Sequence, residues 1–339
     1  MSKATHYLAN RRTPHRWVIR LRSFLRYGDH PWNALTISMA VLTILLMLAI
    51  GILLWKDSAG SRAEFGLSFL KPTNDASWNP VSGAFQAWPF IYGTLITSLL
   101  ALILALPISI GVAIFLAELS PEWLRTPLGG MFELLAAIPS VIYGLWGIFV
   151  FLPKLVEPVG NFLSDTLGKL PVLSLFFHGP MPASGSSLLA AAFVLSIMIT
   201  PTITAITRDV FLAIPNSQRE ASLALGSTRW ETIWKVLIPY GLSGILGAVI
   251  LGLGRALGET MAVTMVVGNS IGGSLSLLRP GYTMSSVIAN EFAEAVSPLH
   301  TSALIEVGLI LFIITLLLNI LARLLIWRVG RGNVQEGRV

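Results

Sequence analysis

The chain contains no cysteine in its 339 residues. That excludes a disulfide framework, thiol catalysis and thiolate metal sites. Charge is scarce as well: Asp, Glu, Lys and Arg make up 12% of the residues, against roughly 25% in an ordinary soluble domain. A soluble chain of 36.7 kDa needs far more polar surface than this, which argues against an aqueous globular enzyme. With 54% of residues hydrophobic, intrinsic disorder is excluded too. The five histidines, His6, His15, His30, His178 and His300, are scattered and show no metal-ligand spacing. A phosphate-cradling P-loop is missing: Gly168-Lys169 is followed by leucine and lacks the upstream glycine, so the chain itself is not expected to hydrolyse ATP.

What the sequence does have is apolar length. Six segments reach the ~20 residues a helix needs to cross a bilayer: Asn33–Trp55, Phe90–Ala117, Met131–Leu152, Ser187–Thr207, Gly241–Gly268 and Ser302–Trp327. The expected architecture is all-α and polytopic, with six transmembrane helices. Pro107, Pro139 and Pro201 fall inside three of the segments, where neighbouring groups in a bundle re-satisfy the freed carbonyls. The first segment is too long for a signal peptide and no small-residue cleavage site follows Trp55, so it reads as a retained span.

The net charge of +6 lies in residues 1–32, which carry seven Lys/Arg and one acid, while the remainder is neutral. It is therefore not a nucleic-acid footprint, and no nucleic-acid partner is expected. The 208–240 loop and both chain ends are richest in Lys and Arg, which places them in the cytoplasm. The expected organisation is a basic cytoplasmic arm over 1–32, a first span at 33–55 and a periplasmic loop at 56–89. A transmembrane core follows at 90–327, containing the cytoplasmic 208–240 loop, and a cytoplasmic tail at 328–339. Trp17, Leu21 and Phe24 at helical spacing suggest that residues 16–27 form a helix lying on the inner surface of the lipid bilayer, the alternative being a mobile basic tail.

Two regions carry chemistry. In the 208–240 loop, Ser217/Glu220 and Thr228/Glu231 both have capping-box spacing. Gly226 separates the two halves as a helix C-terminus would, and Pro239 is expected to stop the second helix. The loop therefore reads as two short rigid helices, able to dock in a groove or merely to connect two spans. In the fifth span, Arg255 falls near mid-membrane, where one charge costs roughly 2.5–3.5 kcal/mol. Glu259 is four residues on and able to pair with it. Gly244, Ala248, Gly252 and Ala262 share that side, leaving either a cavity or room for close helix contact. Two readings fit: a conduit in which the guanidinium binds an oxyanion, or a permanent ion pair joining helices.

Thr200, Thr204 and Thr207 form a polar stripe on the fourth span, either lining a path or bonding within the bundle. Ser140 and Tyr143, beside Pro139, are candidates of the same kind. Glu118, Glu133, Arg323 and Glu306 lie near span ends and read as topological. Trp78, Asn79, Phe292 and Glu294 are possible outer contacts for a partner, or caps over the bundle.

The spacing Glu220-Ala221-Ser222, three residues, Gly226, nine residues, Val236-Leu237-Ile238-Pro239 resembles the EAA loop of binding-protein-dependent ABC importer permeases. Ser222, Val236 and Ile238 are conservative departures from it. Residues Arg255–Val263 resemble the signature of phosphate-importer permeases. Four further stretches, Phe132–Gly144, Arg208–Phe211, Ala289–Ala295 and Leu309–Phe312, are similar to the PstC-type subunit in particular. The resemblance covers about Asn79 to Arg328. It implies a type I ABC importer permease fold and a role as permease subunit of a phosphate importer. It further implies a PstA-type permease partner, two PstB-type ATPase subunits that use ATP and Mg, and a PstS-type periplasmic phosphate-binding protein. No cofactor is implied on this chain. By resemblance Glu220, Ala221, Ser222, Gly226 and Pro239 belong to the ATPase-coupling loop, and Arg255 with Glu259 to the charged pair tied to phosphate passage. A permease for another oxyanion such as molybdate or sulfate, an ion-coupled secondary transporter, and a membrane signalling component are the rival readings.

Overall fold

A computed structural model describes residues 29–72, 78–272 and 274–335. The surface helix expected over 16–27 lies outside these. Two compact units are present, residues 1–53 and 54–339. In the first unit the described residues belong to helix α1 (Asp29–Asp57), which is apolar along its length and runs on into the second unit.

The second unit is a helical bundle. Its elements are α2 (Ala59–Phe65), α3 (Trp88–Ile114), α4 (Glu122–Ala137), α5 (Ser140–Trp146), α6 (Glu157–Thr166), α7 (Ser174–Phe177), α8 (Leu188–Ala213) and α9 (Asn216–Ala224). Then follow α10 (Arg229–Thr232), α11 (Ile238–Gly258), α12 (Met261–Val266), α13 (Met284–Glu291) and α14 (Pro298–Gln335). No named strand occurs among the described residues. Among the described residues, six helical runs are long and apolar enough to cross a membrane: Trp32–Asp57, Trp88–Leu119, Ser140–Lys169, Leu188–Ala213, Arg229–Gly258 and Pro298–Arg328.

Helix α8 is the centre of this unit, packed against α3, α4 and α11. Its core residues Leu195, Met198, Ile199 and Ile203 are almost fully buried. The small-residue stripe of α11 serves this contact. A side chain added at Gly252 would sit 2.7 Å from Ile203, and one at Gly244 would sit 2.5 Å from Val210. Ala248 between them is fully buried. Of the two uses open to that stripe, close helix packing is the one the fold makes.

Prolines shape the spans differently from expectation. The third segment is not one helix from Met131 to Leu152. Ile138 and Pro139 are extended, with ψ of 130° and 136°, so α4 ends at Ala137 and a new run starts at Ser140. The residue before a proline is pushed out of the helical region, which accounts for the break. Pro239 does the reverse of stopping a helix. A π-helical turn, Ile233–Leu237, precedes it and the run continues unbroken from Arg229 to Gly258. The wider turn takes up the proline's missing donor and ring, and Ile238 N–H reaches back to the Ile233 carbonyl.

The fifth span in turn stops earlier than expected. Glu259, with ψ of 127°, closes α11, and α12 begins again two residues later. At the same end of the bundle, Val266, Leu277 and Arg279 meet the start of α8. Ser187 N–H bonds the Val266 carbonyl at 3.2 Å and Leu189 N–H bonds the Leu277 carbonyl at 2.8 Å. Glu306 does not reach water as a residue near a span end might; it is 5% exposed.

Candidate functional site

Arg255 occupies the last turn of α11. Its Nη1 donates to Thr202 Oγ1 at 3.1 Å and to the Ala136 carbonyl at 3.5 Å. Thr202 lies midway along α8, so the guanidinium is at mid-depth in the bundle even though its own helix ends there. The Ala136 carbonyl is available because the helix ends at Ala137, just before Pro139, instead of continuing through an unbroken span. Carbonyls in a last helical turn have no partner of their own and form the negative end of the helix dipole. Tyr143 is buried and its hydroxyl donates to the Leu135 carbonyl at 2.8 Å, tying α5 to that same turn.

The expected Arg255–Glu259 pair is not formed. The ion pairs among the described residues do not include either side chain. An i, i+4 pair needs a continuous helix, and the backbone is extended at Glu259. The carboxylate instead turns onto α12, where Oε1 accepts from Ala262 N–H at 3.1 Å. A carboxylate at a helix N-terminus is favourable in its own right. Arg255 is thus held by neutral acceptors. A hydrogen bond to a charged group is worth about 1.5–3 kcal/mol, and a helix C-terminus adds about 0.3–1 kcal/mol. Together these are comparable with the roughly 2.5–3.5 kcal/mol of inserting the charge. A guanidinium has five N–H donors, and both protein bonds come from Nη1. Among the described residues its Nε and Nη2 have no protein acceptor.

Arg255 lines a cavity of about 760 Å³ together with Thr202, Gly254, Thr315, Asn319 and Arg323. Thr202, Thr315 and Asn319 were not singled out in the sequence; an i, i+4, i+8 count along the last span would have found Thr315, Asn319 and Arg323 together. Thr200 and Thr204 do not line this cavity. Thr200 Oγ1 donates to the Ser196 carbonyl at 2.7 Å, and the fully buried Thr204 donates to the Ser109 carbonyl at 3.4 Å, joining α8 to α3. Ser140 opens α5 and is absent from the lining.

At one end of the bundle, α9 and α10 form a rigid elbow. Thr228 and Glu231 make a complete capping box: Thr228 Oγ1 accepts from Glu231 N–H and Glu231 Oε2 accepts from Thr228 N–H. The box expected at Ser217 and Glu220 is not made, because α9 begins at Asn216 after Pro215 and puts Ser217 inside the helix. Gly226 takes φ +89°, the left-handed conformation that glycine adopts without penalty. Ser222 is buried and its hydroxyl bonds Thr232 at 2.9 Å, so this departure from the EAA pattern closes the elbow. Glu220, Ala221, Gly226 and Pro239 are exposed, and so are Leu225 and Trp230. Arg219, not singled out in the sequence, anchors the elbow. It meets Glu118 at 2.7 Å and donates to the carbonyls of Ile214 at 2.6 Å and Phe211 at 2.7 Å.

The exposed elbow thus leads through one helical run, Arg229–Gly258, to an arginine with unused donors at mid-depth in the bundle. Residues 109–331 match the binding-protein-dependent transport system inner membrane component family, and the chain belongs to it. Among its relatives are the phosphate transport system permease proteins PstC of Xylella fastidiosa strain Temecula1 and Pasteurella multocida strain Pm70. They are 45% and 50% identical, each covering 88% of this chain and 91% of the relative. Solved structures share the fold at low identity. The MetNI methionine ABC transporter in an inward-facing conformation matches with TM-score 0.53 at 18% identity, over 75% of this chain and 99% of that one. A bacterial alginate ABC transporter in complex with an alginate pentasaccharide-bound periplasmic protein matches with TM-score 0.53 at 17% identity, over 87% and 95%. The chain is a multi-pass inner-membrane permease subunit of an ABC importer, with the type I importer fold, and is not an enzyme.

Proposed function

We propose that this chain is the transmembrane permease subunit of an ATP-driven importer of inorganic phosphate. The observation that carries the substrate is Arg255: a mid-membrane guanidinium with two donor groups unused, on a residue that lines a cavity. A fork of N–H donors in a dry surrounding suits an oxyanion. Relatives named as phosphate permeases at 45–50% identity favour phosphate over sulfate or molybdate.

The chain pairs with a homologous PstA-type permease, so that the cavity becomes an enclosed path. A PstS-type protein delivers phosphate from the periplasm. Two PstB-type ATPase subunits use ATP and Mg at the cytoplasmic side, where both termini lie. The exposed face of α9, with Ala221 and Leu225, docks in the ATPase. Because Arg229–Gly258 is one helical run, movement of the elbow is passed directly to Arg255. Thr202 and Tyr143 hold the site in shape, and Glu259 sets the break that ends α11.

The test is uptake into vesicles containing the reconstituted importer, with and without the ATPase and the binding protein. Phosphate uptake is expected only when both are present. Uptake of sulfate or molybdate in place of phosphate would reassign the substrate, and uptake by this chain without an ATPase would refute the importer reading.

A further inference from the structure

Helix α14 is built for lipid over most of its second half: Leu317, Leu321, Leu324 and Leu325 are all more than half exposed. Thr315, Asn319 and Arg323 interrupt it at four-residue intervals and so share one face. All three line the cavity that Arg255 lines from α11. A polar ladder on an otherwise apolar spanning helix is costly and calls for a function. Arg328, five residues beyond Arg323 along the helix, is exposed and suited to anchor the span end.

The donors on this ladder can be sorted. Thr315 gives its hydroxyl proton to the Leu311 carbonyl at 2.8 Å, so it offers an anion nothing. Asn319 Nδ2 donates once, to the Thr315 carbonyl at 2.9 Å, and retains a second N–H. Among the described residues Arg323 forms no ion pair. From Thr315 to Arg323 the ladder climbs about 12 Å along the helix, at about 1.5 Å per residue.

We propose that Arg323, assisted by the free amide N–H of Asn319, is a second anion station in the same cavity, to which phosphate passes from Arg255 before release. This rests on the proposed role of Arg255 and adds a site to it. Two weak stations suit passage better than one strong one, because an anion must leave as readily as it enters. Arg323 acts by charge and hydrogen bonding to the passing anion.

The absence of cysteine allows a direct electrostatic test. Ile326 lines the cavity near Arg323 and is apolar. In the assembled importer, in inside-out vesicles, the Ile326→Cys chain is labelled with an anionic and with a cationic methanethiosulfonate of similar size. The anionic reagent is expected to react about tenfold faster, as focusing of counter-ions by like charges predicts. Phosphate should slow it, and Arg323→Gln should bring the two rates together. Phosphate uptake in Arg323→Gln is expected to fall at least about tenfold with complex yield unchanged, and Arg323→Lys to restore part of it. A rate ratio unchanged by Arg323→Gln, with uptake still lost in Arg255→Gln, overturns the second station alone. Uptake retained in Arg255→Gln overturns the first station and this proposal with it.

Discussion

Arg219 and Glu118 meet at 2.7 Å, joining the elbow helix α9 to the π-helical turn that ends the α3 run. The guanidinium is only 17% exposed and the carboxylate 14%. Nε also bonds both carboxylate oxygens at 3.1 Å, while Nη1 and Nη2 take the Ile214 and Phe211 carbonyls at the end of α8. One side chain therefore fastens three elements: the elbow, the end of the α3 run and the end of α8.

Removing Arg219 leaves a carboxylate and two carbonyls without their donor, whereas Glu118→Gln keeps an acceptor for it. Arg219→Ala is expected to destabilise the chain by about 2–3 kcal/mol and to leave ATP hydrolysis poorly linked to uptake. Glu118→Gln should be milder on both counts. The charge-swapped double variant, Glu118→Arg with Arg219→Glu, should not rescue, because a glutamate cannot donate to the two carbonyls. Thermal unfolding of the complex and the ratio of uptake to ATP hydrolysis check all three; full rescue by the swap would show that the carbonyl bonds are unimportant.

At Gly226 nothing lies within 4 Å of where a side chain would project, so space is not the constraint; φ of +89° is. A β-branched residue there costs about 1–3 kcal/mol of backbone strain. Gly226→Val is expected to cut complex yield or coupled uptake severely. Gly226→Asn should be tolerated better, since asparagine visits positive φ more readily. Equal behaviour of the two variants in uptake assays would mean that the bulk at this exposed position matters, not the turn.

Arg255→Gln is expected to abolish phosphate uptake, a loss of at least about 100-fold, with the complex still assembled. In the proposed path its fork is the anion's donor, while its bonds to Thr202 and Ala136 are to neutral groups that glutamine can partly satisfy. Arg255→Lys keeps the charge but loses the fork, and should recover only a small part of the rate. Substantial uptake by the glutamine variant would remove Arg255 from the path.

The number of spans and the elbow between α9 and α10 could be read from the chain because both are local. Apolar runs mark spans wherever they occur, and Thr228/Glu231 with Gly226 marks a capped turn without reference to anything distant. Arg255 was legible as an anomaly, a charge inside an apolar run. Its partners were not, since Thr202 and the Ala136 carbonyl come from elements 53 and 119 residues away. Spacing alone favoured Glu259 as the partner, and one extended residue reversed that. Arg219 likewise looked like one more positive charge in a cytoplasmic loop, because the carbonyls it binds belong to a helix end that exists only in the folded bundle. Pro139 and Pro239 carried the same sequence signal and opposite outcomes. A π-helical turn precedes the second and not the first.

The separation of Arg255 from Glu259 gives a final prediction. Were they an ion pair, removing one charge would strand the other, and removing both would restore stability, with a coupling of about 0.5–3 kcal/mol between the two changes. In the structure Glu259 is an N-terminal acceptor for Ala262 and Arg255 bonds to other groups. The effects of Arg255→Gln and Glu259→Gln on thermal stability are therefore expected to add, with coupling below about 0.5 kcal/mol. Glu259→Gln retains an oxygen for the Ala262 N–H and should lose little stability. Glu259→Leu loses the cap and should cost about 1 kcal/mol. The cycle is measured by thermal unfolding of the assembled complex without phosphate. A strong favourable coupling would restore the ion pair and would mean that α11 closes across Glu259 in the resting state.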